Sequence, residues 1–229
     1  GLGDVYKRQI VLRSKKSSNS QLPHNATFSN TLSKSKIYPC GLSAMSDIKD
    51  GSTILIDGFA GPGGMAQYLL VSLRDHGAKY LTMISNSAGI ARVTSFGAKD
   101  GFLAIDHSIL FDNNQISKVV ASFPVSPSPS RPNSFELAYQ EGKVQLELVA
   151  QGTLAERIRS GGNGVLSFYT PTGVSTVVAK NKETRLLSNR LHVLEHAIRG
   201  DFAIIRAHKA DTLGNLVYKG TSRNFNAVM

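Results

Sequence analysis

The chain of 229 residues is 41% hydrophobic, with one cysteine and no tryptophan. This is enough apolar material to bury a core in one large or two small domains. The single Cys40 excludes a disulfide framework and a cysteine-based zinc site. No apolar run approaches the length of about 18 residues that a membrane helix needs, so the sequence predicts no membrane partner.

The formal net charge of +10 is unevenly distributed along the chain. Residues 1–46 contain seven of the 26 basic residues and one of the 16 acidic residues, which accounts for +6 of the total. The basic character therefore belongs to an amino-terminal arm and not to a binding face, and the sequence predicts no nucleic-acid partner.

The composition of this arm is typical of an organelle import presequence. No acidic residue occurs between Val5 and Ser46, while nine residues there are serine. A disordered basic tail and a nucleic-acid-binding arm are the alternatives. The opening Gly-Leu-Gly-Asp lacks an initiator Met and is interpreted as foreign sequence, so residues 1–9 are left out of fold reasoning. We expect residues 1–36 to be disordered and to include a mitochondrial presequence, and residues 37–229 to fold.

A βαβ unit is predicted just after the arm. Residues 53–56 form a short β-branched run of the kind buried on both faces of a sheet. A glycine-dense loop at 58–64 follows, then a segment at 65–76 with apolar residues at helical spacing, which ends at Gly77. Residues 80–84 give a second buried strand, which should lie parallel to the first.

The later elements continue this α/β pattern. Strands are predicted at 116–123, 144–148, 165–169, 202–207 and 216–218, and helical segments at 135–140 and 153–158, the latter ending at Gly161-Gly162. A loop at 124–132 is too rich in proline for a helix or a central strand.

Two glycine-rich segments are candidate ligand sites. A glycine at the end of a parallel strand, as at 58–64, lets the backbone approach a ligand closely, although a tight structural turn explains it equally well. This loop matches neither the dinucleotide-binding nor the Walker pattern. In the second segment, turns at 161–164 and 170–173 flank a strand, which again fits either a ligand site or turn chemistry.

The histidines do not predict a metal site. His192 and His196 are four residues apart on a possible helix, but the order differs from H-E-x-x-H and no third ligand is nearby. No G-x-S-x-G nucleophile motif occurs either. The residues alone therefore indicate an α/β ligand-binding domain of undefined chemistry.

The string D-G-S-T-I-L-I-D-G-F at 50–59, followed by Gly63, resembles the signature of the family I coenzyme A transferases. Further strings that are similar to the α half of the 3-oxoacid transferases of this family follow in the same order at 85–89, 151–159, 168–173, 200–203, 209–211, 214–215 and 223–226. The resemblance covers about residues 37–229. It implies a three-layer α/β/α domain with a mainly parallel sheet.

The resemblance also implies the chemistry. Coenzyme A passes from succinyl-CoA to a 3-oxoacid such as acetoacetate through a thioester on a glutamate of the β half. Gln151 falls on an oxyanion donor and Asn86 on an asparagine close to the reacting carboxylates. The implied substrate-binding residues are Gly58, Phe59, Gly63, Asn86, Gly162 and Gly164. The acyl-CoA is a substrate, and neither a resident cofactor nor a metal is implied. The eukaryotic enzymes of this kind are mitochondrial, which predicts the mitochondrial matrix.

Several positions depart from the family pattern. Asp57 replaces the first glycine of the G-G-F motif, Met65 the signature proline and Ser87 a second asparagine, while the loop at 124–132 replaces a G-E-N string. The chain ends at Met229, which we interpret as short of a complete α half, and the nucleophilic string S-E-N-G does not occur in it. The expected partner is therefore a β half, in a homodimer or a heterotetramer. A non-catalytic domain of the same fold that binds coenzyme A or a carboxylic acid is the alternative.

Overall fold

Short strands alternate with helices in the computed structural model, which describes residues 9–13, 36–59, 64–91 and 104–229. The strands are β1 (Gln9–Arg13), β2 (Thr53–Ile56), β3 (Leu81–Ile84), β4 (Ile116–Ala121), β5 (Gln145–Leu148), β6 (Ser167–Thr170), β7 (Thr184–Leu187), β8 (Arg190–His196), β9 (Phe202–Arg206), β10 (Lys209–Ala210) and β11 (Leu216–Val217). The α-helices are α1 (Gly41–Met45), α2 (Gln67–His76), α3 (Ser108–Asp112), α4 (Ser134–Gln140) and α5 (Gln151–Asn163), and single 3₁₀ turns lie at Val177–Ala179, Gly220–Arg223 and Phe225–Ala227.

Six strands form one sheet in the order β1-β9-β2-β3-β4-β5. The five strands from β9 to β5 are parallel, and β1 pairs antiparallel with β9 at the edge. In the centre of the sheet, Ile54 on β2 lies between Met83 on β3 and Phe202 on β9. The predicted βαβ unit and the mainly parallel sheet are confirmed.

Alternation along the strands divides the core between two faces. Ile54 and Ile56 belong to one buried cluster together with Leu70 of α2, whereas Leu55 belongs to a second cluster with Leu154 of α5. Because successive side chains of a strand point to opposite faces, these clusters lie on opposite sides of the sheet. Helices therefore cover both faces, as the three-layer prediction requires.

Helix α5 extends further than the sequence indicates. The predicted end at Gly161-Gly162 is wrong, because the helix continues to Asn163 and ends at Gly164, whose φ of 77° is the left-handed cap conformation. Gly161 has a packing role instead. A Cβ there would lie 1.9 Å from the backbone oxygen of Ile198, whereas a Cβ on Gly162 would meet nothing within 4 Å.

The second, three-stranded sheet corrects two further predictions. Strands β6, β8 and β7 pair antiparallel, so β6 does not belong to the parallel sheet whose strand ends were expected to bind a ligand. His192 and His196 lie on β8 and not on a helix. The β7–β8 turn is formed by Ser188 and Asn189, both with positive φ as in a type I′ hairpin.

The arm departs from the expected disorder at five positions. Residues 9–13 form β1, in which Ile10 pairs with Ile205 of β9. The apolar run Ile10-Val11-Leu12 has high strand propensity, and β9 would otherwise present an unpaired edge. The rest of the predicted presequence, up to residue 35, lies outside the described residues. Among the described residues, no helix combines the length and apolar character needed to cross a membrane.

The two glycines of α5 give a matched pair of stability variants. Gly161→Ala should lower the free energy of unfolding by about 1–3 kcal/mol, because the new methyl group overlaps the Ile198 carbonyl. Gly162→Ala should raise it by about 0.5–1 kcal/mol, since alanine favours the helix and the position is open. Urea denaturation of both variants measures the difference. Equal effects at both positions would contradict this account of the packing of α5.

Candidate functional site

Polar residues follow several parallel strands at the carboxyl edge of the sheet. Asp57 and Gly58 follow β2, Asn86 and Ser87 follow β3, and Gln151 begins the helix after β5. In open α/β sheets this edge is where ligands bind. The fold therefore brings together residues that are far apart in the sequence.

Gln151 and Asn86 are in direct contact. The Nε2 of Gln151 donates a hydrogen bond to Oδ1 of Asn86 at 2.9 Å. Asn86 is buried, and its backbone oxygen accepts hydrogen bonds from the N–H groups of Ser122 and Phe123 beyond β4, at 3.1 and 2.8 Å. Asn86 is thus fixed by the neighbouring strand, and it orients the exposed side chain of Gln151.

Gly58 occupies a space that no side chain can share. A Cβ at this position would lie 2.2 Å from Ser85 Oγ and 2.4 Å from His107 Cε1. The hydroxyl of Ser87 donates a hydrogen bond to the backbone oxygen of Gly58. Ser87, which replaces an asparagine of the family pattern, therefore holds the glycine backbone in place.

Phe59 lies at the rim of this site. Its side chain is 37% exposed, and its ring centroid lies 6.1 Å from that of Phe225. The backbone oxygen of Phe59 accepts a hydrogen bond from Nδ2 of Asn224 at 3.1 Å. Gly63, the other substrate-binding candidate of this segment, lies outside the described residues.

Gly162 and Gly164 are not brought to this edge. They lie at the opposite end of α5 from Gln151, about 16 Å away along the helix axis at 1.5 Å per residue. There they line a separate cavity of about 650 Å³, together with Leu55, Ile198 and Met229. A role for these glycines in substrate binding stays a prediction, and it would involve a second region of the domain.

The sequence analysis missed two buried residues before α3. His107 is completely buried and lies with Nε2 3.0 Å from the backbone oxygen of Asp57, and burial lowers its pKa, so the ring is neutral. Asp106 accepts hydrogen bonds from the N–H groups of Ile90, Ala91 and Ser108 at 2.6–2.9 Å. Both residues stabilise the backbone around the site. Neither lies in a motif, so no sequence signal would have identified them.

Asp57 is a buried carboxylate in the centre of the site. Its Oδ1 accepts a hydrogen bond from the N–H of Phe59 at 3.0 Å, and its Oδ2 accepts one from Nδ2 of Asn226 at 2.7 Å. Burial without a nearby cation raises the pKa of Asp57 to about 6, although these hydrogen bonds favour the ionised form. A charge at this position therefore reduces the stability of the fold at neutral pH.

The described residues contain no cluster of three or more histidine, cysteine, aspartate or glutamate side chains that would hold a metal ion. The groups that the carboxyl edge offers are amides and backbone, which bind and orient a carboxylate or a thioester and do not coordinate a metal.

The raised pKa of Asp57 predicts a pH dependence of stability. Between pH 4 and pH 6 the folded chain retains a proton on Asp57 that the unfolded chain has lost, so the free energy of unfolding should fall as the pH rises through this range. The loss should be on the order of 3 kcal/mol and complete above pH 6. Asp57→Asn removes the titrating group. The difference between the wild type and this variant, measured by urea denaturation from pH 4 to pH 7.5, should show this slope. A difference that does not vary with pH would contradict it.

Comparison with known proteins identifies the family. The family profile described as "Coenzyme A transferase" matches residues 43–229. The chain is 42% identical over 193 residues to the α subunit of a probable succinyl-CoA:3-ketoacid coenzyme A transferase of Bacillus subtilis, covering 84% of this chain and 74% of that protein. It is also 42% identical over 194 residues to the α subunit of a 3-oxoadipate CoA-transferase of Pseudomonas putida, covering 85% of this chain and 77% of that protein.

The fold is that of a solved transferase. An acyl-CoA transferase from Escherichia coli O157:H7 superposes with a TM-score of 0.64 at 19% identity over 78% of this chain. The chain spans 36% of that protein, and so covers well under half of it. The family match over most of the chain and the identity to two α subunits agree with the polar carboxyl edge described above. The chain belongs to the coenzyme A transferase family, and it corresponds to the α part of such an enzyme.

Proposed function

We propose that this chain is the α part of a 3-oxoacid CoA transferase, which moves coenzyme A from succinyl-CoA to a 3-oxoacid such as acetoacetate. The observation that carries the proposal is the hydrogen bond between Gln151 and Asn86 at the carboxyl edge of the sheet. These are the residues that the family resemblance assigns to the reacting groups. Relatives named for this activity at 42% identity support the choice of substrates.

In the proposed reaction, a glutamate carboxylate of the partner β half attacks the thioester carbonyl of succinyl-CoA and releases the coenzyme A thiolate. The thiolate then attacks the glutamyl carbonyl of the mixed anhydride, which releases succinate and leaves a glutamyl-CoA thioester. The acceptor acid repeats these two steps in reverse order, so that the glutamate is regenerated. Negative charge develops on a carbonyl oxygen at each step, and a fixed donor stabilises it.

Gln151 has the geometry of such a donor. One Nε2 hydrogen is used in the bond to Asn86, which fixes the plane of the amide. The second hydrogen of the same nitrogen then points in a defined direction from an exposed side chain at the edge of the sheet. A donor that is held before the reaction begins needs no reorganisation in the transition state.

The acceptor acid has a second candidate. The chain is as similar to a relative named for 3-oxoadipate as to one named for a 3-ketoacid. The two acceptors share a 3-oxo acid group and differ in a distal carboxylate. The non-catalytic alternative, a domain that only binds coenzyme A or an acid, differs from both because it predicts no turnover at all.

The partner is proposed to be the β half, in a homodimer of fused chains or in a heterotetramer. Both relatives are named as one subunit of their enzyme, which supports a separate partner chain. We also propose the mitochondrial matrix as the location, on the acid-free, serine-rich composition of the arm and on the resemblance to mitochondrial enzymes of this family. The acyl-CoA is proposed as a substrate, without a resident cofactor.

The function is tested by assaying the α part and the β half separately and mixed, with succinyl-CoA and either acetoacetate or 3-oxoadipate. Turnover should appear only on mixing, because the nucleophile is expected from the β half. Borohydride or hydroxylamine added with succinyl-CoA should modify a glutamate of the β half. Turnover by the α part alone, or modification of one of its own carboxylates, would overturn the mechanism. No turnover of either acceptor after mixing would favour the non-catalytic alternative.

Gln151→Ala tests the proposed donor in the complete transferase. We expect kcat to fall by on the order of 10²–10³, with a smaller change in KM, because the contact strengthens only as charge develops. Gln140→Ala, at the exposed end of α4, removes the same amide away from the site and serves as the control. A Gln151→Ala enzyme within about threefold of the wild-type kcat would assign Gln151 a structural role.

A further inference from the structure

The carboxyl-terminal turns are tied to the glycine segment through Asn226. This side chain is 1% exposed, and its Nδ2 lies 2.7 Å from Asp57 Oδ2, 2.8 Å from the oxygen of Gly64 and 3.1 Å from that of Ser222. Its Oδ1 accepts a hydrogen bond from the N–H of Arg206, at the end of β9, at 2.8 Å. One carboxamide thus links a strand end, both described ends of the glycine segment and the final turns.

The neighbours of Asn226 reinforce this contact. Asn224 donates to the backbone oxygen of Phe59, and the ring of Phe225 lies against that of Phe59. Three successive residues of the string at 223–226 therefore contact the segment after β2. This string had no assigned role in the sequence analysis beyond its resemblance to the family.

A buried carboxylate is an expensive way to fill the space beside Asn226. A neutral residue would avoid the desolvation of the charge, and glycine stands there in the family signature. An ionised acceptor, however, forms hydrogen bonds about twice as strong as a neutral one and accepts at both oxygens. The two donors that it holds are the Asn226 side chain and the Phe59 backbone.

We propose that Asp57 and Asn226 form a clamp that positions the backbone at Gly58 and Phe59 against Asn86 and Gln151, and that the clamp requires the ionised carboxylate. The path is continuous. Gly58, next to Asp57, accepts the hydrogen bond from Ser87, and Ser87 adjoins Asn86, which holds Gln151. Asp57 and Asn226 are positioning residues, since neither side chain is exposed to a substrate.

The groups around Asp57 assign the acid transition to this carboxylate. His107 contacts the backbone oxygen of Asp57 and remains neutral, because burial lowers its pKa. Arg206 at the end of β9, and Lys219 and Arg223 in the final turns, are the charged residues on the elements that pack against Asn226. Within the described part of the chain, none of them forms an ion pair with Asp57.

Amide hydrogen exchange in the complete enzyme tests the clamp directly. The N–H of Phe59 is bonded to Asp57, and the N–H of Arg206 is bonded to Asn226. If the pair is one unit, Asn226→Ala should speed exchange at Phe59, and Asp57→Asn should speed exchange at Arg206, each by about tenfold. Asp211→Asn is the control, because Asp211 accepts hydrogen bonds from Asn215 in an exposed turn elsewhere. If each variant affects only the amide bonded to the altered residue, the clamp is overturned.

Kinetics test the positioning role, which rests on the proposed function. Asp57→Asn, Asn226→Ala and the double variant should each lower kcat/KM by between about 10- and 100-fold, and the double variant by no more than the larger single effect. The wild type should also lose kcat/KM below pH 6, a limb that Asp57→Asn should lack, while Asp211→Asn should match the wild type. Normal kinetics with coupled exchange would leave a clamp without a catalytic role and overturn the positioning proposal. A wild-type enzyme without transferase activity would overturn the proposed function, and the exchange result would still decide the clamp.

Discussion

The carboxyl edge of this domain depends on the absence of a side chain at Gly58. Ser85 and His107 approach the position where a Cβ would stand to within 2.4 Å, so any larger residue would push β3 and α3 away from β2. Because the backbone can come this close, Ser87 bonds to Gly58, and the neighbouring Asn86 reaches Gln151. The geometry of the candidate site therefore follows from one close backbone approach between two parallel strands.

This constraint also explains how the departures from the family pattern coexist with the family fold. Ser87 is shorter than the asparagine it replaces, and its hydroxyl is well suited to the nearby oxygen of Gly58. Asp57 replaces a glycine, but its side chain turns into the core towards Asn226. Neither change places a new group on the exposed edge, where a substrate acid would lie. A carboxylate on that edge would instead repel the negatively charged substrates of a transferase.

The sequence predicted the elements whose signals are local. The βαβ unit follows from two apolar runs and a helical period, and the cap at Gly77 follows from the residue type. Other features depend on contacts that no local pattern encodes. Gly161 interrupts a helical pattern as a terminating glycine would, yet it is required by the carbonyl of Ile198. The pairing of Gln151 with Asn86 came within reach only through the resemblance, since 65 residues separate them.

The two ends of α5 show why the site residues had to be separated by structure. Gln151 begins the helix at the carboxyl edge, while Gly162 and Gly164 end it beside a cavity that reaches the opposite side of Leu55. A substrate as long as coenzyme A is large enough to contact regions about 16 Å apart, whereas a short acid is not. If both ends of α5 bind substrate, the amide at the first turn acts on the reacting thioester and the glycines contact a distant part of the coenzyme. The acid acceptor then depends on the carboxyl edge alone, so changes at Asn86 and Gln151 affect both half-reactions, and changes at the glycines affect only the binding of coenzyme A.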